Sequence, residues 1–206
     1  VPIIVNYLPV FGARDTTGES VILPWPRHDA FTIGFVGNLT EQKGWKVLLT
    51  AMERLPRRFK VVIVGDGEQR EEVRGWLQKP RSTNRAYWTG ILSKDRLLAT
   101  YPLFDVFVLP SITTPHSVEQ FGAVLAEAMA CGVPVIGSDS GAIPETIGEA
   151  GLVVPEGDPD ALAWAITRMS QDEELRRRCI ARGLERFHAH FSCEAYAHSI
   201  GGLFGL

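Results

Sequence analysis

Residues 31–65 read FTIGFVGNLTEQKGWKVLLTAMERLPRRFKVVIVG, and the order of apolar periods within them decides the fold class. FTIGFVG (31–37) is a short apolar run ending in glycine, the pattern of a buried strand. KGWKVLLTAMERL (43–55) is amphipathic at helical spacing and ends before Pro56. FKVVIVG (59–65) is a second apolar run. Two such strands joined by a helix of about ten residues indicate parallel strands covered on both faces.

Working outward, the alternation continues. EQREEVRGWLQ (68–78) predicts a polar-faced helix, RAYWTG (85–90) a short strand, and KDRLLATY (94–101) a helix. DVFVLPS (105–111) is the next strand, and GAVLAEAMA (122–130) a helix closed by Gly132 with Pro134 just beyond. VPVIGSD (133–139) and GLVVPEG (151–157) are the last strands. The expected class is therefore α/β, a doubly wound parallel sheet with ligand sites at the carboxyl ends of its strands. The last third is helical. Asp158 and Pro159 suit the cap and first position of one helix. The next carries Leu175, Cys179, Leu184, Phe187 and Phe191 near one face, and Ser192 can cap a terminal helix. Three segments are expected: a connector and first elements (1–30), the α/β domain (31–190) and a C-terminal helix (191–206). Val1 already lies in the strand-like VPIIV without an initiator Met, which reads as a piece of something longer.

Composition narrows the function classes. An apolar fraction of 45%, a charged fraction of 22% and a net charge of −3 describe an ordinary globular chain. They speak against an electrostatic nucleic-acid binder or a polybasic membrane-surface protein. No run approaches the roughly 20 apolar residues of a bilayer span, and the residues given show no signal-peptide pattern. Three scattered cysteines, Cys131, Cys179 and Cys193, lack metal-ligand spacing and fit a reducing, cytoplasmic setting.

Strand ends are where chemistry is sought. After the first strand, Gly37 permits close backbone approach, and Lys43-Gly44 stands at a helix start, where free amides attract anions. Lys43 reads either as a phosphate ligand or as a solvated lysine. The second strand ends in VGDGEQR (64–70), where Arg70 occupies the third glycine position of a dinucleotide fingerprint, which weakens a nicotinamide reading. The fourth feeds the loop LPSITTPHSVEQFG (109–122) into an almost wholly apolar helix. Gly122 and Ala123 leave its amides accessible, and Glu127 leans back toward its start. Glu119, in the loop, is a surface charge or a hydroxyl acceptor; a buried helix seldom carries an unpaired carboxylate like Glu127. Two carboxylates beside a phosphate site are compatible if they accept hydrogen bonds from hydroxyls, so a sugar-bearing diphosphate fits. His116, in the same loop, is the only histidine placed to meet a ligand.

GNLTEQKG (37–44), VIVGDGEQREEV (62–73), WTGILSKDRLLATYPLFDVFVLPS (88–111), EQFGAVLAEAMACGVPVIGSDSGAIPETI (119–147) and GLVVPEGDPDALAWAI (151–166) occur in one order with matching gaps. Together they resemble the carboxyl-terminal lobe of retaining family 4 glycosyltransferases of the GT-B fold. The two glutamates separated by seven residues within them carry the most specific part of the likeness. The resemblance implies a Rossmann-like, donor-binding lobe of a hexosyltransferase, with the acceptor-binding lobe absent from this chain. It implies that Glu127 holds the ribose hydroxyls, Glu119 the donor sugar and Lys43 the diphosphate. The amides of Phe121, Gly122, Ala123 and Val124 would line sugar and phosphate, and the base would lie near Gly90 and Ile91. Glu119 and Lys43 would be the catalytic pair, without a cofactor or an obligatory metal. Many members carry arginine where this chain has Asn38, which weakens charge neutralisation beside Gly37. The implied partners are a nucleotide-sugar donor and a sugar, lipid or small-molecule acceptor, with any peripheral membrane contact made through the other lobe. Alone, the fragment is expected to bind donor with little turnover. Two other classes stay open: a nucleotide-sugar-binding or regulatory module without transfer, and a glycoside hydrolase using the carboxylate pair.

Overall fold

The computed structural model describes residues 19–197. Among them, six strands form one sheet: β1 (Phe31–Val36), β2 (Phe59–Val64), β3 (Ala86–Gly90), β4 (Val106–Leu109), β5 (Val135–Ser138) and β6 (Gly151–Val154). The order is β3-β2-β1-β4-β5-β6 and every pairing is parallel. The chain thus winds outward from β1 to one edge and returns to the other side of β1 at β4. That reversal, between β1 and β4, is the topological switch point where α/β sheets open a ligand crevice.

Alternation along the strands divides the core. Val61 and Ile63 face one side with Ile33 and Phe35, while Val62 and Val64 face the other with Phe107 and Leu109. Helices α1 (Trp45–Arg54), α2 (Arg70–Leu77) and α6 (Pro159–Gln171) cover the first face. Helices α3 (Lys94–Thr100), α4 (Ala123–Ala130) and α5 (Ile143–Ile147) cover the second. Burial on both faces explains why the strands are nearly continuous apolar runs. The C-terminal carbonyls of α1 end on a buried side chain: Arg85 Nη2 donates to Met52 O (2.8 Å) and Leu55 O (3.0 Å). Asp158 caps α6 by accepting from the amides of Asp160 and Ala161, both at 2.9 Å. No helix of the described residues is long and apolar enough to cross a membrane.

The doubly wound parallel sheet agrees with expectation, and three details differ. Helix α5 has no counterpart in the sequence reading. The helix beginning with Lys43-Gly44 instead starts at Trp45: Lys43 closes a 3-10 turn (Glu41–Lys43), and Gly44 turns the chain in the left-handed region. On α7 (Glu173–Arg186), the buried stripe runs Leu175, Cys179, Gly183 rather than through Leu184, which is only half-buried. A methyl on Gly183 would meet Met129 Cγ at 3.1 Å, so the missing side chain lets α7 lie close on α4. The chain before β1 also packs against the sheet. Trp25 is buried in the second core and its Nε1 donates to Thr32 Oγ1 (3.3 Å). The strand read in VPIIV and most of the terminal helix lie outside the described residues. Residues 193–197 are helical, with Ser192 Oγ accepting from Ala195 N (3.1 Å), as its capping role requires.

One contact brings the β1 and β4 loops together. A methyl on Gly44 would stand 1.7 Å from the carbonyl oxygen of Pro110, and Gly44 has φ +66°. Gly132 has φ +70° with nothing near its missing Cβ. Gly132→Ala is therefore expected to cost only the left-handed penalty, about 1–2 kcal/mol. Gly44→Ala should cost a further ~1–3 kcal/mol, because the loops must part. Chemical denaturation of the two variants measures the difference; equal losses would show that the loop contact yields without cost.

Candidate functional site

The carboxyl ends of β1 and β4 supply the first half of the site. Beyond β1 the chain passes Gly37 and the exposed Asn38, turns through Glu41–Lys43, and delivers Lys43 to the crevice. Beyond β4 it runs through Pro110 and Ser111 to Glu119. The backbones join where Ile112 N donates to Gln42 O (2.8 Å). The side chains join as an ion pair, with Lys43 Nζ 2.6 Å from Glu119 Oε2. The fully buried Ser111 donates its hydroxyl to the same oxygen at 3.0 Å. Glu119 is only 7% exposed, so it is neither a solvated loop charge nor a free helix-start charge.

The loop that carries Glu119 is fixed from behind by the turn into α5. Ala142 N donates to Glu119 O (2.9 Å), and Thr146 Oγ1 donates to Phe121 O (2.5 Å). A side chain on Gly141 would stand 2.1 Å from Glu119 O, which is why that turn runs through glycine. The ring of Phe121 packs on Phe191, centroids 5.5 Å apart, in the π-helical turn Phe187–Phe191. With the carbonyls of residues 119 and 121 held from the α5 side, the chain enters α4 through Gly122 in the left-handed region. Among the described residues, the amides of Gly122, Ala123 and Val124 make no hydrogen bond within the protein. Ala123 is exposed and Val124 half-buried, while Gly122 is buried. A helix start of this kind attracts anions.

Glu127 forms the second half. It is 8% exposed, and both its oxygens are held. Lys94, the first residue of α3, pairs with Oε1, and the Tyr101 hydroxyl donates to Oε2 at 2.8 Å. Burial, and then the neighbouring Glu127 charge, push the Tyr101 phenol well above its ordinary pKa, so it stays protonated and a donor. Lys94 follows β3, whose end turns at Gly90 in the left-handed region with open space where a side chain would stand. Ile91, next along, is 78% exposed.

The predicted residues thus fall into two groups at the carboxyl ends of the strands. Lys43, Glu119 and the amides from Gly122 to Val124 meet across the switch point, beside Gly37 and Asn38. Glu127 is tied through Lys94 to the β3 end that carries Gly90 and Ile91. Each buried carboxylate has its own lysine, which offsets the like-charge conflict noted from the sequence. His116 sits exposed in the β4 loop. Sequence reasoning missed Lys94, Tyr101 and Ser111. Their only signal was placement: Ser111 ends a strand run, and Lys94 stands at a helix start where the backbone dipole disfavours a cation. Among the described residues, no group of three or more His, Cys, Asp or Glu side chains could hold a metal ion.

Comparisons with known proteins bear on this arrangement. Residues 25–186 match the family described as glycosyl transferases group 1. An uncharacterized glycosyltransferase of Methanocaldococcus jannaschii is 32% identical over 173 residues, covering 82% of this chain and 43% of that protein. A GDP-mannose-dependent alpha-(1-6)-phosphatidylinositol monomannoside mannosyltransferase of Mycobacterium tuberculosis is 35% identical over 159 residues, 74% of this chain and 40% of that one. Among solved structures, sucrose-phosphate synthase from Thermosynechococcus elongatus superposes with a TM-score of 0.76 at 34% identity, covering 88% of this chain and 46% of that chain. The chain therefore spans less than half the length of each of these relatives.

The hold on Glu119 is measurable. A buried hydrogen bond to a charged group contributes about 1.5–3 kcal/mol. Ser111→Ala should therefore lower the thermal midpoint by roughly 3–12 °C, at about 2–4 °C per kcal/mol for a domain of this size. An unchanged midpoint would mean that Lys43 alone keeps the carboxylate in place.

Proposed function

The chain belongs to the group 1 glycosyl transferases, and from that premise we propose that it is the donor-binding lobe of a retaining GT-B hexosyltransferase of family 4. The observation that carries this is the meeting of Lys43, the buried Glu119 and the open α4 amides at the switch point. A nucleoside diphosphate sugar is the ligand that uses all three. Its diphosphate takes the amides of Phe121 to Val124 and the Lys43 ammonium, and its hexose hydroxyls donate to Glu119. Its ribose lies on Glu127, and its base over Gly90 and Ile91. The mycobacterial relative named as GDP-mannose-dependent supports a donor of this class.

In this reading, ligand binding exchanges partners within the Lys43–Glu119 pair. Lys43 has three ammonium donors and turns one or more to the phosphate oxygens, while Glu119 gains sugar hydroxyls as donors. As the bond between the anomeric carbon and the diphosphate oxygen breaks, negative charge grows on the leaving group. Preorganised amides and a lysine in a partly dry crevice stabilise it without reorganising. Charge neutralisation is assigned to these groups rather than to a metal, with Asn38 adding a neutral side chain at the crevice mouth. Glu119 orients the sugar. The acceptor, a sugar, lipid or small molecule, binds outside this lobe, as does any contact with a membrane surface. The chain alone binds donor and transfers little, and it works in the cytoplasm.

Calorimetry with UDP, GDP and ADP, and with the matching nucleosides, tests the phosphate assignment. Lys43→Ala should weaken the best diphosphate roughly 10- to 100-fold, the range of one charge-assisted contact. The same variant should leave the nucleoside nearly unchanged. Equal affinity of wild type and variant for the diphosphate would contradict the role of Lys43. A transfer assay on the complete protein then separates an enzyme from a module that binds without transfer.

A further inference from the structure

We infer that Lys94 and Tyr101 act together as a positioning pair that sets the orientation of Glu127, and so the discrimination between ribose and 2′-deoxyribose at the nucleotide site. The inference deepens the donor-site reading above and rests on it.

A carboxylate offers about four lone-pair directions. Lys94 takes one on Oε1 and Tyr101 takes one on Oε2, so roughly two remain for incoming donors. Two vicinal hydroxyls are what a ribose presents. Fixing one lone pair on each oxygen leaves the rotation of the carboxylate no freedom, and the remaining directions are set before a ligand arrives. The two fixing groups differ in kind. Tyr101 is wholly buried, with its ring edge-on to Phe104 and Phe107 at 5.9 and 5.6 Å between centroids, so its hydroxyl is a rigid post. Lys94 reaches in from the half-exposed start of α3. There it opposes the helix dipole, while the next residue, Asp95, is of the charge that this position favours. A lysine in that place gains little from its own helix. Its favourable contact is the pairing with Glu127, across 33 positions of sequence.

A surface role for Lys94 predicts something different. A half-exposed ion pair contributes little to stability, so its loss would leave both folding and ligand preference nearly unchanged. A positioning role predicts a change in ligand preference without a comparable change in fold.

The experiment is calorimetry on the chain with UDP, GDP and ADP, each against its 2′-deoxy counterpart, in wild type, Lys94→Met, Lys94→Arg and Tyr101→Phe. Wild type should prefer the best ribonucleotide over its deoxy form roughly 10-fold or more, as expected for a hydroxyl donating to a buried carboxylate. Lys94→Met and Tyr101→Phe should each reduce that preference to about 3-fold or less, chiefly by weakening the ribonucleotide. Lys94→Arg should restore most of it, because the guanidinium can still reach the carboxylate. Circular dichroism of Lys94→Met should match wild type, so the preference is read on a folded chain even where the thermal midpoint falls with the loss of a partner to the buried Glu127. A preference kept in full by Lys94→Met overturns the inference and leaves the donor reading standing. Equal weakening of ribo and deoxy forms also overturns it, since that is loss of general affinity. Absence of any ribose preference in wild type overturns the ribose assignment of Glu127 itself, and the inference falls with it.

Discussion

The close approach of the Gly44 backbone to Pro110 O is the constraint on which the site depends. It is possible because glycine supplies both a left-handed turn and the absence of a side chain. It brings the loop after β1 against the loop after β4, on either side of the point where the sheet reverses. The Ile112–Gln42 backbone bond and the Lys43–Glu119 pair both follow from it. The apolar strands beneath make the platform rigid, with the four inner strands of the six-stranded parallel sheet buried on both faces. The polar groups above are consequently held by backbone geometry rather than by long flexible side chains alone.

Electrostatics then sorts the two glutamates. Both are nearly buried, and a buried carboxylate is costly unless it is paired and hydrogen-bonded. Glu119 is met by a lysine and a serine from two different loops, and Glu127 by a lysine and a tyrosine from the α3 side. Each lysine follows the end of a different strand, so the two carboxylates are separately compensated. Paired this way, they can stand in a crevice whose other feature is a set of anion-seeking amides. The hydroxyls of a sugar and the oxygens of a phosphate ask for that combination.

Much of this was legible in the sequence, because it rests on local patterns. The first two strands are apolar runs ending in glycine, and helices α1 and α6 carry clear periodicity and stops. Glu127 stood out because it interrupts an otherwise apolar helix. What was not legible depends on contacts distant in the chain. Helix α5 is only five residues long and contains Pro144, too short to display a period. Gly183 replaces Leu184 in the buried stripe of α7 because Met129 of another helix lies against it. Lys94 and Tyr101 look like an ordinary helix-start lysine and a core aromatic until the fold places them on Glu127. The ion pair between Lys43 and Glu119 joins residues 76 positions apart, and no local pattern encodes it.

The most direct measurement of the central claim is a crystal structure of the chain with a nucleoside diphosphate bound. The account predicts the diphosphate against the amides of Gly122, Ala123 and Val124, with Lys43 Nζ turned from Glu119 to a phosphate oxygen and the ribose hydroxyls on Glu127. A diphosphate bound elsewhere on the sheet edge, with the Lys43–Glu119 pair intact, would contradict it.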